Sequence, residues 1–470
     1  MRIIELSAVA ALVVLPGALF LACSSDGVAT PAKADAGDGG PSVEAAPPSG
    51  DAGPDAEQPP DIYPADHQPI PQLDFLGGPI LDHMKIITVT FVKTATDGGV
   101  GDAGDAGAVD AGDSGAEAGS ASGDCTPAPF GDPSCPALRT FDDFIVKSDW
   151  WHQTMTGFKV FDGTSGGYRE LKDTVSGQSI ADADIQQMII DAVAQGALPK
   201  PDAQTLYALY FPASTQISLF GSSSCVEFLG YHSSVFVGAV DAAYAVMPLC
   251  KAANAIATRE QLTVTASHEF AEAASDPHPG HDPAYYLTTN DAWAASLGAS
   301  TAGGENGDVC IFAPNWTEGA YKVQPIWSNQ AAKESRDPCQ PSPTGTLYYG
   351  AAVRTTLQSV NSHKSNGYLI LKKGETQEAR IDVFSEKALP HDLKIYAGRD
   401  KRGSADPSDM QDIQNGITAS FSRTEVHNGN SVVMTISVPD KAVSGNFKFL
   451  VRTVLEPTDF HDWPVIVHVN

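Results

Sequence analysis

The run Thr265-Ala-Ser-His-Glu-Phe-Ala-Glu-Ala-Ala-Ser-Asp-Pro-His278 holds the side chains best suited to chemistry. On a helix, His268 and Glu272 stand four residues apart and share one face, with Glu269 beside them. This is the spacing of the H-E-x-x-H zinc helix, in which two residues hold the metal and the intervening Glu activates its water. Here Glu272 takes the place of the second histidine. A carboxylate can bind zinc, but its charge acidifies the bound water less than an imidazole does. Calcium or manganese therefore stand as alternatives to zinc. The competing reading is that His268, Glu269 and Glu272 are ordinary residues on a half-exposed helix, because so short a pattern recurs by chance.

A metal needs a third ligand. Glu305, in Gly304-Glu-Asn-Gly-Asp-Val-Cys310, is the first choice, being a carboxylate on a glycine-rich loop that Cys310 could tether. Asp308 lies on the same loop, and His232 follows Gly230-Tyr. His278 lies ten residues after His268, the spacing of the third ligand in the longer H-E-x-x-H-x-x-G-x-x-H motif, but Ser275 replaces that motif's glycine. Asp276 is a further alternative, though before Pro277 it could simply cap the turn.

The elements that must position these residues read as follows. Met84–Val92 is a buried strand, and Leu138–Met155 has helical spacing at Leu138, Phe141, Phe144 and Ile145. A helix starts near Asp182 as N-cap, with Ile185, Met188, Ile189 and Ala192 on one face, and Gly196 ends it. Thr205–Phe211 and Tyr244–Leu249 are strands, and Thr258–Ser275 is a helix closed by Asp276-Pro277. Alternating strands and helices predict an α/β domain over residues 79–342. Seven β-rich runs follow Pro343, without cysteine or helical periodicity, and predict an antiparallel β-sandwich over 343–470.

The chain has 470 residues, with 57 acids, 29 bases and a net charge of −28, which argues against a basic nucleic-acid or anionic-lipid surface. Residues 24–70 hold nine acids against Lys33 alone, and residues 96–124 hold seven with no base. Both stretches are rich in Asp, Ala, Gly, Ser and Pro, so a disordered tether over 24–78 and a disordered insert over 94–124 are expected. Residues 1–23 read as a signal peptide. Their ending, Leu-Phe-Leu-Ala-Cys23, resembles a lipobox, which implies a protein exported and lipid-anchored through Cys23 or else secreted. The six remaining cysteines suggest disulfides between sequence neighbours: Cys125–Cys135, Cys225–Cys250 and Cys310–Cys339.

A longer set of segments carries a family resemblance: Ile-Ala-Asp-Ala-Asp-Ile from Ile180, Leu206-Tyr-Ala-Leu-Tyr-Phe-Pro, Gly230-Tyr-His and Tyr244-Ala-Val-Met-Pro-Leu-Cys. It continues through Ser267-His-Glu-Phe-Ala-Glu-Ala-Ala-Ser-Asp-Pro, Gly304-Glu-Asn-Gly-Asp-Val-Cys and Val323-Gln-Pro-Ile-Trp-Ser-Asn. In this order they resemble the bacterial relatives of the plant phosphate-induced, EXORDIUM-like proteins. The resemblance implies a zincin-like α/β domain with the metal helix at His268–Glu272. The segments from Gly416, Asn428 and Gly445 likewise resemble Ig-like modules appended to secreted bacterial enzymes. The expectation is a metal-dependent, peptidase-like hydrolase of peptide or protein substrates, with His268, Glu272 and Glu305 holding zinc and Glu269 as general base. Its rival is a non-catalytic protein that binds a cell-surface ligand and keeps a structural or vestigial metal site. In either case the anchor is the only membrane attachment, and nucleic acid is not a partner.

Overall fold

Five strands form the sheet on which the candidate residues depend, in the order Thr164–Lys172, Lys85–Val92, Thr205–Phe211, Val240–Pro248, Tyr231–Val237. The first four run parallel, and the last is an antiparallel edge strand. The computed structural model describes residues 62–92, 136–294 and 304–470, apart from 344, 361–362, 402–405, 407 and 457–458. The signal peptide, Cys23, most of the tether, the 94–124 insert, Cys125 and Cys135 lie outside the described residues.

The central strand shows why the sheet is covered on both faces. All seven residues of Thr205–Phe211 are buried. Leu206, Ala208 and Tyr210 join one core cluster, while Tyr207, Leu209 and Phe211 join another. Side chains alternate across a strand, so an apolar run without polar positions requires a layer on each side. One layer is the helix Asp182–Ala194, which contributes Ile185 and Ile189. The other contains the helices Pro136–Ile145 and Ala255–Ser275, which contribute Phe141 and Phe270. We call the helices of the sheet layers α1 (Pro136–Ile145), α2 (Asp149–Met155), α3 (Asp182–Ala194) and α4 (Ala255–Ser275).

Several expectations are corrected in detail. The single helix over Leu138–Met155 is two, because Ser148 is extended and caps α2 by accepting a hydrogen bond from Trp151 N. The N-cap of α3 is Ala181 rather than Asp182. The helix α4 is not half-exposed, since every residue from Thr265 to Asp276 is buried. Residues 62–78, placed in the disordered tether, are packed: Ile70 and Leu73 enter the core, and Asp74–Phe75 pairs with Tyr285–Tyr286.

The C-terminal part has two larger sheets, one of four strands and one of five, and a two-stranded pair of Gln358–Val360 with His363–Ser365. An all-antiparallel sandwich is not what forms, because Tyr368–Leu371 pairs parallel with Asp459–Val469. The sequence boundary at 342/343 is not a gap in the core either. One apolar cluster runs from Phe270 and Trp327 to Ile381 and Val465, and Trp293 meets both Trp327 and Trp463 edge-on at 5.3 Å.

Two disulfides flank the candidate residues, Cys225–Cys250 and Cys310–Cys339, both with the expected partners. The second closes a sequence separation of 29 residues and ties the glycine loop to the Cys339–Gln340 strand. Loop-closure entropy sets the worth of such a link at about 3–4 kcal/mol. Cys310→Ala with Cys339→Ala is therefore expected to lower unfolding free energy by about that amount, read from denaturant titration. An unchanged midpoint would show that the loop is held by packing alone.

Candidate metal centre

The last two turns of α4 present His268, Glu269 and Glu272, all fully buried. The edge strand supplies His232, and the loop that begins at Gly304 supplies Glu305 and Asp308, all of them buried. His268 Nε2 lies 3.1 Å from Glu272 Oε1 and 3.8 Å from Asp308 Oδ1. His232 Nδ1 lies 3.4 Å from Glu272 Oε2 and 3.5 Å from Glu269 Oε2, and its Nε2 lies 3.3 Å from Glu305 Oε1. Most of these separations exceed a good N–H···O bond of about 2.9 Å. They are close to the spacing of neighbouring ligands around one cation at about 2.1 Å.

Hydrogen bonds outside the cluster orient its donors. Gln324 Nε2 donates to Gly307 O at 2.7 Å, which turns Gln324 Oε1 toward His268 Nδ1 at 3.0 Å. His268 thus donates through Nδ1 and presents Nε2 to the carboxylates, the usual arrangement behind a metal-binding imidazole. His232 Nε2 similarly donates to Asp276 O at 3.1 Å, leaving Nδ1 inward. Asp308 N donates to Glu272 Oε1 at 3.1 Å and so fixes the loop against the helix. Two glycines leave the necessary room. A Cβ at Gly307 would come within 2.8 Å of both Glu272 Oε1 and His268 Nδ1, and one at Gly230 within 2.8 Å of Glu269 Oε1.

Burial opposes charge on every carboxylate here. It pushes Glu269 up to about 7, and together with the charge of Glu305 it pushes Asp276 up to about 8. Glu305 is raised by burial and by Glu272, and Asp308 is held well above the usual carboxylate range by the same two causes. Glu272 goes the other way: burial would raise it, but His268 and His232 pull it down to about 2. Burial likewise would lower both histidines. Glu305, Glu269 and Glu272 hold His232 well up instead, and Glu272 lifts His268 to about 10.

Most of the expected residues are brought together. His268, Glu269 and Glu272 form one set of possible ligands within 4.8 Å of one another, and His232, Glu272 and Glu305 form another. Glu305 therefore stands with His232, while the third member beside His268 and Glu272 is Glu269, which was assigned to proton transfer. Asp276 joins at the margin: Oδ1 accepts from Ala284 N at 2.9 Å, and Oδ2 is buried without a hydrogen-bond partner. His278 does not join. It leaves α4 past Pro277 and groups with Asp241 and His281 on a half-exposed patch. Gln324, Gly230 and Gly307 were missed as site residues, although all three lie in the segments that carried the resemblance.

No family model matches the chain, and no curated protein matches it. Parts of it are similar to domains 4 and 5 of the S-layer protein SbsC, at 11% identity and TM-score 0.16, covering 26% of this chain and 53% of that one. The CupB2 chaperone of Pseudomonas aeruginosa gives 12% and 0.17, covering 22% and 52%. A family 123 glycoside hydrolase from Clostridium perfringens gives 12% and 0.16, covering 26% and 27%. The chain thus spans about half the length of the first two and about a quarter of the third. Likenesses this slight carry no conclusion about fold or function.

Two outcomes follow from the geometry. Gln324→Leu removes the acceptor that orients His268 and is expected to weaken metal affinity about 10–100-fold, read by competition with a chelating dye. For chelator-treated protein, Glu269 and Asp276 keep protons in the fold that the unfolded chain releases near 4.5 and 3.8, so their stabilisation is full below those values and is lost as pH rises through about 7 and 8. His268 has the same sign, with its stabilisation full below 6.5 and lost as pH rises through about 10. Its Tm should therefore fall from pH 5 to pH 8, whereas that of metal-loaded protein should rise as the ligands deprotonate. Parallel profiles for the two forms would contradict this.

Proposed function

We propose that the chain is an exported metal-binding protein whose divalent metal joins α4, the edge strand and the glycine loop. The observation that carries this reading is a set of buried donor atoms. His232 Nδ1, His268 Nε2, Glu272 Oε2 and both oxygens of Glu269 and of Glu305 have no hydrogen-bond partner. Each such atom costs about 1–3 kcal/mol unless something compensates it. Ion pairing within the protein does not suffice, because among the described residues Glu269, Glu272 and Glu305 pair only with the two histidines. Mixed imidazole and carboxylate donors suit zinc, with manganese or calcium as alternatives. The donors are at most 1% exposed, which favours a metal that holds the fold together over one that meets a large substrate.

The zincin-like and EXORDIUM-like reading belongs to this proposal. Its support is a metal helix packed beneath a mixed sheet, with the antiparallel edge strand supplying His232. Export rests on the 1–23 segment and on the two disulfides, which persist in oxidising compartments. Anchoring at Cys23 and a cell-surface or peptide partner complete the picture.

A second reading, the peptidase-like hydrolase, is favoured by Glu269 itself. Its two oxygens have no hydrogen-bond partner, and burial sets it near neutrality, as a general base requires. In that case His268 and Glu272 would hold the metal, which would supply an acidified water, and Glu269 would be the base placed to accept a proton.

Chelation separates metal binding from its absence. Loss of a metal present at about 1,000-fold over its Kd removes about 4 kcal/mol, or roughly 10 °C in Tm. A Tm indifferent to chelator, with no bound metal by elemental analysis, would end both readings. Glu269→Gln then separates the two: peptide hydrolysis lost with metal retained selects the hydrolase, whereas no hydrolysis by either form selects the structural metal.

A further inference from the structure

We propose that the centre is dinuclear, with two divalent cations bridged by the carboxylate of Glu272. This rests on the metal-binding reading above and goes beyond it in nuclearity. Glu272 turns its two oxygens to different histidines: Oε1 lies 3.1 Å from His268 Nε2, and Oε2 lies 3.4 Å from His232 Nδ1. The two ligand sets, His268 with Glu269 and Glu272, and His232 with Glu272 and Glu305, share Glu272 alone. No set with members within 4.8 Å of one another contains both histidines. One ion in each set, with Glu272 shared between them, engages all five residues.

A carboxylate bridge also holds two ions about 3.5–4 Å apart, the usual separation in two-metal sites.

The test uses the full chain carrying His278→Ala and His281→Ala, which removes the separate Asp241, His278 and His281 group from the count. Metal-free protein is titrated with Mn2+ alone, and bound metal is measured by elemental analysis and electron paramagnetic resonance. Two equivalents with an exchange-coupled spectrum are expected. Glu305→Gln should reduce the count from two to one, because it weakens only the set around His232. One equivalent, or two without coupling, would overturn the dinuclear centre and leave the metal-binding reading standing. No bound metal would overturn both.

Discussion

The arrangement of residues 62–342 depends on one constraint: carboxylates buried beside two histidines have to be neutralised, by protons or by counter-charge, where they stand. A buried carboxylate left ionised and unpaired would cost several kcal/mol, a large part of what holds a domain folded. The surrounding structure is built to hold the cluster in place. The helix α4 is buried from Thr265 onward, so its acidic turn cannot relax into water. Gly230 and Gly307 keep open the space that Glu269 and Glu272 occupy. Gln324 holds His268 with one end of its amide and the glycine loop with the other.

Three segments far apart in sequence meet at this point, and each is fixed by something other than the cluster. The edge strand is held in register by its partner, with His232 opposite Ala245. The glycine loop is tied by Cys310 to Cys339 and, through the Trp327 N to Asn306 O hydrogen bond, to the Ile326–Trp327 strand. The helix is stopped where its last turn meets the site, since Asp276 precedes Pro277 and its N–H closes on Glu272 O. Preorganisation of this kind lets donor atoms face one another at 3.1–3.8 Å rather than collapse into hydrogen bonds.

Much of this was legible in the sequence where local pattern governs. The apolar run at Thr205–Phe211 declares its burial, and the i, i+4 pair on α4 its shared face, without tertiary help. The glycine loop could be chosen because its carboxylates sit beside a cysteine. What local pattern could not show is partition in space. Ten residues separate His268 from His278, as in an extended zinc motif, but the chain turns at Pro277 and sends His278 to Asp241 instead. Glu305 sits with His232 rather than with His268, a pairing of loop and edge strand that sequence spacing does not reveal. The strand Thr164–Lys172 escaped notice since an edge strand with few apolar residues has no periodicity to read. Residues 62–78 looked like more tether by composition, yet Ile70 and Leu73 find a core that spans both halves of the chain.

The most direct test of the central claim is X-ray diffraction from the full chain at the zinc absorption edge, with crystals grown in zinc. An anomalous peak about 2.1 Å from His268 Nε2, with a second on the His232 side of Glu272, is the predicted result. Refined density that shows Glu269, Glu272 and Glu305 hydrogen-bonded to one another or to water, with no anomalous peak among them, would contradict it.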